Sequence, residues 1–501
     1  MTEQVKIIHV VGQTSRKMQR NRKMIHHSVG FDPDHQLYNK TSRNFRVAAA
    51  ELQNIDTAPA EIERVIRECF VKSAPVYIFV PIDMVNEHVL LSALDNPIDL
   101  TMPRTAAIEQ SISAAIEAVA SAIYASKNPA VLVDCLVQRH NSTAETKLLV
   151  DKLKIPVYST NMGKGIVNET DPNYIGVYNG AISTPGLSIA IEASDLILVL
   201  GSLPCDTNTG GFSRKVRPEN VIDITPTTVT IQGKTTFKDC CIKPFLAKLA
   251  TSLISQKVPK VTKPILPPTA ETDLETDAIT QSWIWHRIAS FLRPHDVVFG
   301  ETGTAAFGLP DATFPEDITW ITQTYYGSIG YATPAALGAD LALAELHAEK
   351  GNPRGRTVVI TGDGSIQLTI QELGTMIARN ARPIIFVINN AGYTIERAIH
   401  GADHPYNDVA PYNWQAALRL FGMSEEQTKG CFHRVTTKQE FEEAVAKRSV
   451  TDPERVQMVE VVMDRLDCPW RLLSQIATRG EAVVKEMERA GFNVRRPVLK
   501  N

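Results

Sequence analysis

No run in this sequence reaches the length and apolarity of a membrane span. The N-terminus has no signal-peptide core either, because Met1-Thr2-Glu3-Gln4 leads straight into a strand-like segment. The charge balance offers little to polyanions: a net charge of −3 gives no electrostatic case for nucleic acid or an anionic membrane. The seven cysteines are odd in number and scattered, at 69, 135, 205, 240, 241, 431 and 468. None shows metal-ligand or redox spacing, so reduced thiols and a cytoplasmic location are expected. No G-x-G-x-x-G occurs, which argues against a dinucleotide site. The C-terminal Leu499-Lys500-Asn501 is not a peroxisomal address. What remains is ordinary globular material, 44% hydrophobic and 21% charged over 501 residues, enough for about three domains.

The densest signal lies between 357 and 396. A β-branched run, Val358 to Thr361, delivers the chain to Gly362-Asp363-Gly364-Ser365. A periodic segment from Gln367 to Arg379 predicts a helix. A second apolar run, Pro383 to Ile388, delivers Asn389-Asn390 and Gly392. The order strand, turn, helix, strand is a βαβ unit, which places both polar clusters at the carboxyl ends of neighbouring parallel strands. Glycines there let the backbone approach an anion, and the helix start at Ser365-Ile366 offers free N–H groups. Asp363, the Asn390 side chain and the Gly392 carbonyl are hard oxygen ligands suited to Mg²⁺ with a diphosphate. A lone Gly-Asp-Gly is usually an ordinary turn. Its combination with Asn-Asn between two β-branched strands resembles the fingerprint of thiamin diphosphate enzymes.

Further motifs are similar to those of fungal pyruvate decarboxylases. They are Glu301-Thr-Gly-Thr-Ala-Ala-Phe-Gly308, Tyr326-Gly-Ser-Ile-Gly330, the run from Gly392 to Gly401, Asp206-Thr-Asn-Thr-Gly210, Met162-Gly-Lys-Gly165 and Ile25-His-His-Ser-Val-Gly30. The resemblance runs in order from about Lys6 to about Pro469. It implies a three-domain α/β architecture of parallel sheets flanked by helices, in the order pyrimidine-binding (PYR), middle and diphosphate-binding (PP). The function it implies is non-oxidative decarboxylation of pyruvate or a related 2-oxo acid to an aldehyde, with thiamin diphosphate and Mg²⁺. By the same resemblance, Gly327 and Ile329 hold the aminopyrimidine ring, with Ile329 beneath the folded cofactor. Thr302 and Thr304 touch the cofactor edge, and Gly364, Ser365 and Ile366 meet the diphosphate. Glu396, His26 and His27 move protons near the substrate. Each assignment has a plainer alternative: a core isoleucine at 329, threonines as local backbone caps, Glu396 paired with Arg397 on the surface, and the histidines in a solvated loop. His9 resembles a position near a substrate-activation relay, although a lone strand histidine is more often structural. Leu136 falls where some relatives carry a regulatory cysteine.

The resemblance starts near the middle of the PYR domain, so that domain is expected to be truncated. No residue here matches the family's glutamate for the aminopyrimidine N1′. Glu3 lies just before the first strand and does not match it, and an acidic residue of a second early loop has no counterpart. Two alternatives follow: a catalytically impaired paralogue or accessory subunit, or an incomplete gene product. Carboligation of the acetolactate type is a third option, disfavoured by His26-His27. Pro-rich stretches at 97–103 and 258–270 suggest boundaries. The expected segments are a partial PYR domain over 1–100, a middle domain over 107–255, a linker over 256–272, a PP domain over 273–480 and a tail over 481–501. Sites shared between subunits imply a homodimer or homotetramer, or a mixed assembly with a full-length decarboxylase.

Overall fold

The computed structural model describes residues 1–102, 105–267, 273 and 275–494. Parts of both Pro-rich stretches and the end of the tail lie outside them. Three sheets organise the chain. The first has β1 (Ile8–Gln13), β2 (Ala48–Glu51) and β3 (Val76–Pro81), parallel in the order β1-β3-β2. The second has β4 (Pro129–Val133), β5 (Val157–Ser159), β6 (Tyr174–Val177), β7 (Leu196–Leu200), β8 (Val221–Ile224), β9 (Val229–Ile231) and β10 (Thr235–Phe237). Its order is β10-β9-β8-β7-β4-β5-β6. It is not wholly parallel as the alternation of elements suggests: β8, β9 and β10 pair antiparallel. The turns joining them are too short for a crossover helix.

The third sheet is all parallel: β11 (Val297–Gly300), β12 (Thr319–Thr322), β13 (Thr357–Gly362), β14 (Ile384–Asn389), β15 (Phe432–Val435) and β16 (Gln457–Val462). Its order is β12-β11-β13-β14-β16-β15. Helices cover both faces, which is why its strands read as continuous apolar runs. Ile384, Phe386 and Ile388 enter one core, while Ile385 and Val387 enter the other.

The expected single helix over 367–379 is broken. One helix runs Asp363–Gln367 and a second Glu372–Ala378. Between them the Thr369 hydroxyl donates to the Gly330 carbonyl at 2.9 Å, tying the break to a distant loop. The helix Ala106–Ala125 corrects another expectation, since by length and composition it could cross a membrane. It instead buries Ile112, Ala115, Val119 and Ile123 in the core of the second sheet. The cysteines at 69, 135, 205, 240, 431 and 468 are free.

Two buried polar contacts join the second and third units. Lys164 donates to Glu169 at 2.6 Å and to the Ala312 carbonyl, and its ammonium lies over the Phe314 ring. Arg471, on the helix Trp470–Ala477, reaches the Ile182 carbonyl at 2.6 Å, Thr184 and Asp311. The helix Glu481–Arg489 packs behind it, with Met487 in the same small core.

The first sheet is the weakest part. Strand β3 is better covered than its neighbours suggest: Val76, Ile78 and Phe79 are buried, with helix Ala58–Lys72 packed on the sheet and Arg46 over the Tyr77 and Phe79 rings. Strand β1 is an edge with Val10 69% exposed. An edge strand with an uncovered apolar side chain opens easily. Amide hydrogen exchange on the purified chain is therefore expected to be much faster in β1 than in β13 and β14. Equal protection would contradict this.

Candidate functional site

From β11 the chain steps outward to β12, and β13 then inserts on the other side of β11. Open α/β sheets bind ligands at such a reversal, beyond the carboxyl ends of the strands. Three loops meet there: Glu301–Thr304 after β11, Asp363–Ile366 after β13 and Asn390–Gly392 after β14.

Asp363 is buried, and its carboxylate joins two of these loops. One oxygen accepts from the Gly364 N–H at 3.0 Å and the other from the Gly392 N–H at 3.0 Å. Burial pushes this carboxyl up to about 6, against the pull of those N–H groups and of Arg397. Ser365 and Ile366 are also buried, in the turn of helix that Asp363 begins. Asn390 is 5% exposed, and among the described residues its side chain makes no hydrogen bond. The Gly392 carbonyl accepts only a 3.2 Å bond from Thr394, which leaves a lone pair. Gly392 has φ +130°, and a Cβ there would stand 2.3 Å from the Asn407 carbonyl oxygen. A Cβ on Gly364 would stand 2.5 Å from the Tyr393 ring. Both glycines are thus sterically required. One carboxylate, one free amide and one carbonyl fit a hard cation that keeps ligand oxygens in its own shell.

The loop Tyr326–Gly330 approaches from the side of β12. Gly327 has φ +61° and its N–H donates to the Gln323 carbonyl at 2.9 Å. Gly330 has φ +81° and a Cβ there would stand 2.9 Å from Leu368, so this loop leans on the Asp363 segment. Ile329 is 37% exposed and is not a core residue. Thr302 gives its hydroxyl to the Gln323 carbonyl at 3.3 Å, a local backbone bond, and Thr304 is buried at the head of a short helix.

Glu396 lies on the helix Thr394–His400 with its side chain 47% exposed. Its partner is His400 at 3.3 Å, not Arg397. Arg397 turns inward instead, donating to the carbonyls of Asn390 and Ala391 and pairing with Asp408 at 2.7 Å. Sequence reasoning missed this clamp because a charged pair reads as surface. The available signal was its place five residues after Gly392, a glycine at positive φ. A cleft of about 340 Å³ opens beside Asp363 and Ala391, walled by Asp408, Tyr412 and Trp414.

His26 and His27 are exposed on the N-terminal unit, rings 4.5 Å apart, with His27 at φ +72°. Among the described residues neither hydrogen-bonds to Glu396 or to the strand-end loops. His9 stacks on Tyr77 at 4.3 Å, as a structural histidine would. Glu3 is buried against the Gln323 amide at 3.0 Å, beside the Tyr326 loop.

The sequence matches the family described as thiamine pyrophosphate enzyme, central domain, over residues 116–247. It matches thiamine pyrophosphate enzyme, C-terminal TPP binding domain, over 300–461. It is 38% identical to pyruvate decarboxylase isozyme 2 of Saccharomyces cerevisiae over 479 residues, which is 94% of this chain and 82% of that protein. It is 37% identical to the pyruvate decarboxylases of Kluyveromyces lactis and Aspergillus terreus. These comparisons cover 94% of this chain in each case, and 82% and 81% of those proteins.

Proposed function

Because the chain belongs to the pyruvate decarboxylase family of thiamin diphosphate enzymes, we propose that it acts on pyruvate or a closely related 2-oxo acid, releasing an aldehyde, with Mg²⁺ as its metal. The observation that carries this reading is the bond from the Gly392 N–H to the buried Asp363 carboxylate, which joins the loops after β13 and β14 beside the reversal at β11. Thiamin diphosphate, when bound, supplies the sink for the electron pair that the departing carboxyl group leaves behind.

The chain's own residues hold, shield and protonate. Asp363, the Asn390 amide and the Gly392 carbonyl hold the metal. The N–H groups of Ser365 and Ile366 would face the diphosphate, with Gly364 leaving room for its approach. The Gly327 carbonyl and the Ile329 N–H would hold the pyrimidine end, and the partly exposed Ile329 side chain would pack against the cofactor. Thr302 and Thr304 border it. Glu396 moves a proton at the substrate, and its exposure beside His400 suits exchange with solvent. His26 and His27 supply imidazole protons from a neighbouring subunit's N-terminal unit. Their free position here supports a homodimer or homotetramer in which one subunit's histidines face another's Glu396. Ala391 and the 403–414 segment tune the acyl group, since both border the cleft beside Asp363.

A second reading, an impaired paralogue or accessory subunit, is favoured by one observation. The carboxylate that meets the Tyr326 loop from the N-terminal unit is Glu3, already held by Gln323 and near Arg139. Aldehyde release from pyruvate and from phenylpyruvate, with and without thiamin diphosphate, separates the two readings. No cofactor-dependent aldehyde in any assembly would contradict the decarboxylase reading.

A further inference from the structure

Glu301 follows the last residue of β11 and is 1% exposed. Among the described residues no cation pairs with it. Its carboxylate is spent on backbone: one oxygen accepts from the Thr302 N–H at 3.1 Å, the other from the Gly330 N–H at 3.2 Å and the Ala332 N–H at 3.1 Å. The last two donors flank Tyr331 and open the helix Ala332–Lys350, whose N-terminus favours a negative charge. A single buried carboxylate thus joins the loop after β11 to the far end of the Tyr326–Gly330 loop.

Its surroundings make that carboxylate costly. Burial pushes it up to about 7, while the backbone N–H groups pull it back. Tyr331 stands beside it, and Glu3 and Arg139 act on the same tyrosine. A buried acid without a counter-cation persists only where its hydrogen bonds fix something. What these fix is the peptide between Ile329 and Gly330. Glu301 holds the N–H of Gly330 and Thr369 holds its carbonyl, so the peptides on both sides of Gly330 are fixed and anchor the adjoining Gly327–Ile329 backbone.

We propose that Glu301 is a positioning residue of the cofactor site: by clamping Gly330 and Ala332 it aims the Gly327 carbonyl and the Ile329 N–H at the pyrimidine end of thiamin diphosphate. The proposal rests on the cofactor reading above. It divides the site into two separable halves, a diphosphate half built on Asp363 and a pyrimidine half built on Glu301.

Calorimetry on the full chain with Mg²⁺ distinguishes them, with thiamin diphosphate and inorganic pyrophosphate as probes. Glu301→Gln keeps the shape but sets an amide donor against at least one backbone N–H. Thiamin diphosphate affinity is expected to fall about tenfold, the scale of a lost bond to a charged group, with pyrophosphate affinity unchanged within about twofold. Glu301→Asp keeps the charge at the helix start but falls short of Gly330, so the same selective loss is expected. Equal losses for both probes, or no loss for either, overturn the proposal, as does failure of both variants to fold. Wild-type protein that binds neither probe removes the cofactor reading itself, a result distinct from equal losses in the variants.

Discussion

Replacing Asp363 with alanine is expected to abolish Mg²⁺-dependent binding of thiamin diphosphate while the chain stays folded. Asp363 is the one carboxylate in the proposed donor set, and its oxygens bridge the loops after β13 and β14. Even residues that only orient a ligand cost 10- to 100-fold in metal affinity when removed, so losing the ligand itself should cost at least about 100-fold. The penalty to the fold is partly offset. Two backbone N–H groups, of Gly364 and Gly392, lose their acceptor at roughly 1–3 kcal/mol each. Against that, the variant no longer buries a carboxyl that its surroundings push up to about 6. Calorimetric titration with the circular dichroism spectrum recorded alongside checks both halves. Equal affinity in the variant would mean that the metal is held elsewhere.

The purified 501-residue polypeptide alone is expected to release aldehyde about 10²–10⁴-fold more slowly than the same polypeptide mixed with a pyruvate decarboxylase of known activity, the usual cost of a proton-transfer group out of reach of its site. The geometry gives the reason. The His26 and His27 rings lie 4.5 Å apart at an exposed turn where His27 has a positive φ. Glu3, the N-terminal carboxylate on the pyrimidine loop, is engaged by Gln323 and pushed up by burial, and it does not match the family's activating glutamate. In a mixed assembly Glu396 and the Asp363 cradle face the N-terminal domain of the other chain. Aldehyde release from pyruvate and phenylpyruvate, by the pure polypeptide and by the mixture, measures the ratio. Rapid turnover by the pure polypeptide would show that another acid serves the pyrimidine ring.

The strands of the third sheet were legible because a parallel sheet covered on both faces needs unbroken apolar runs, as at Val358–Thr361 and Ile384–Ile388. Gly364 and Gly392 were legible as turn residues after apolar strands, and the Tyr393 ring and the Asn407 carbonyl leave no room for a side chain at either. The break at Thr369 was not legible, since its cause is a carbonyl 39 residues away. Glu301 and Arg397 were hidden for a related reason. Their partners are backbone N–H and carbonyl groups, which carry no side-chain pattern. The cover over Phe79 was missed because it comes from Arg46, a cation above a ring and not another strand. The helix Ala106–Ala125 shows the reverse case, an apolar run whose meaning only its packing reveals.

The most direct test of the cofactor site is to bind Mn²⁺ in place of Mg²⁺ with thiamin diphosphate and locate the metal by anomalous diffraction. One peak is predicted, in contact with the Asp363 carboxylate, the Asn390 side chain and the Gly392 carbonyl. A peak away from these three residues, or cofactor bound with no metal at all, would contradict the account.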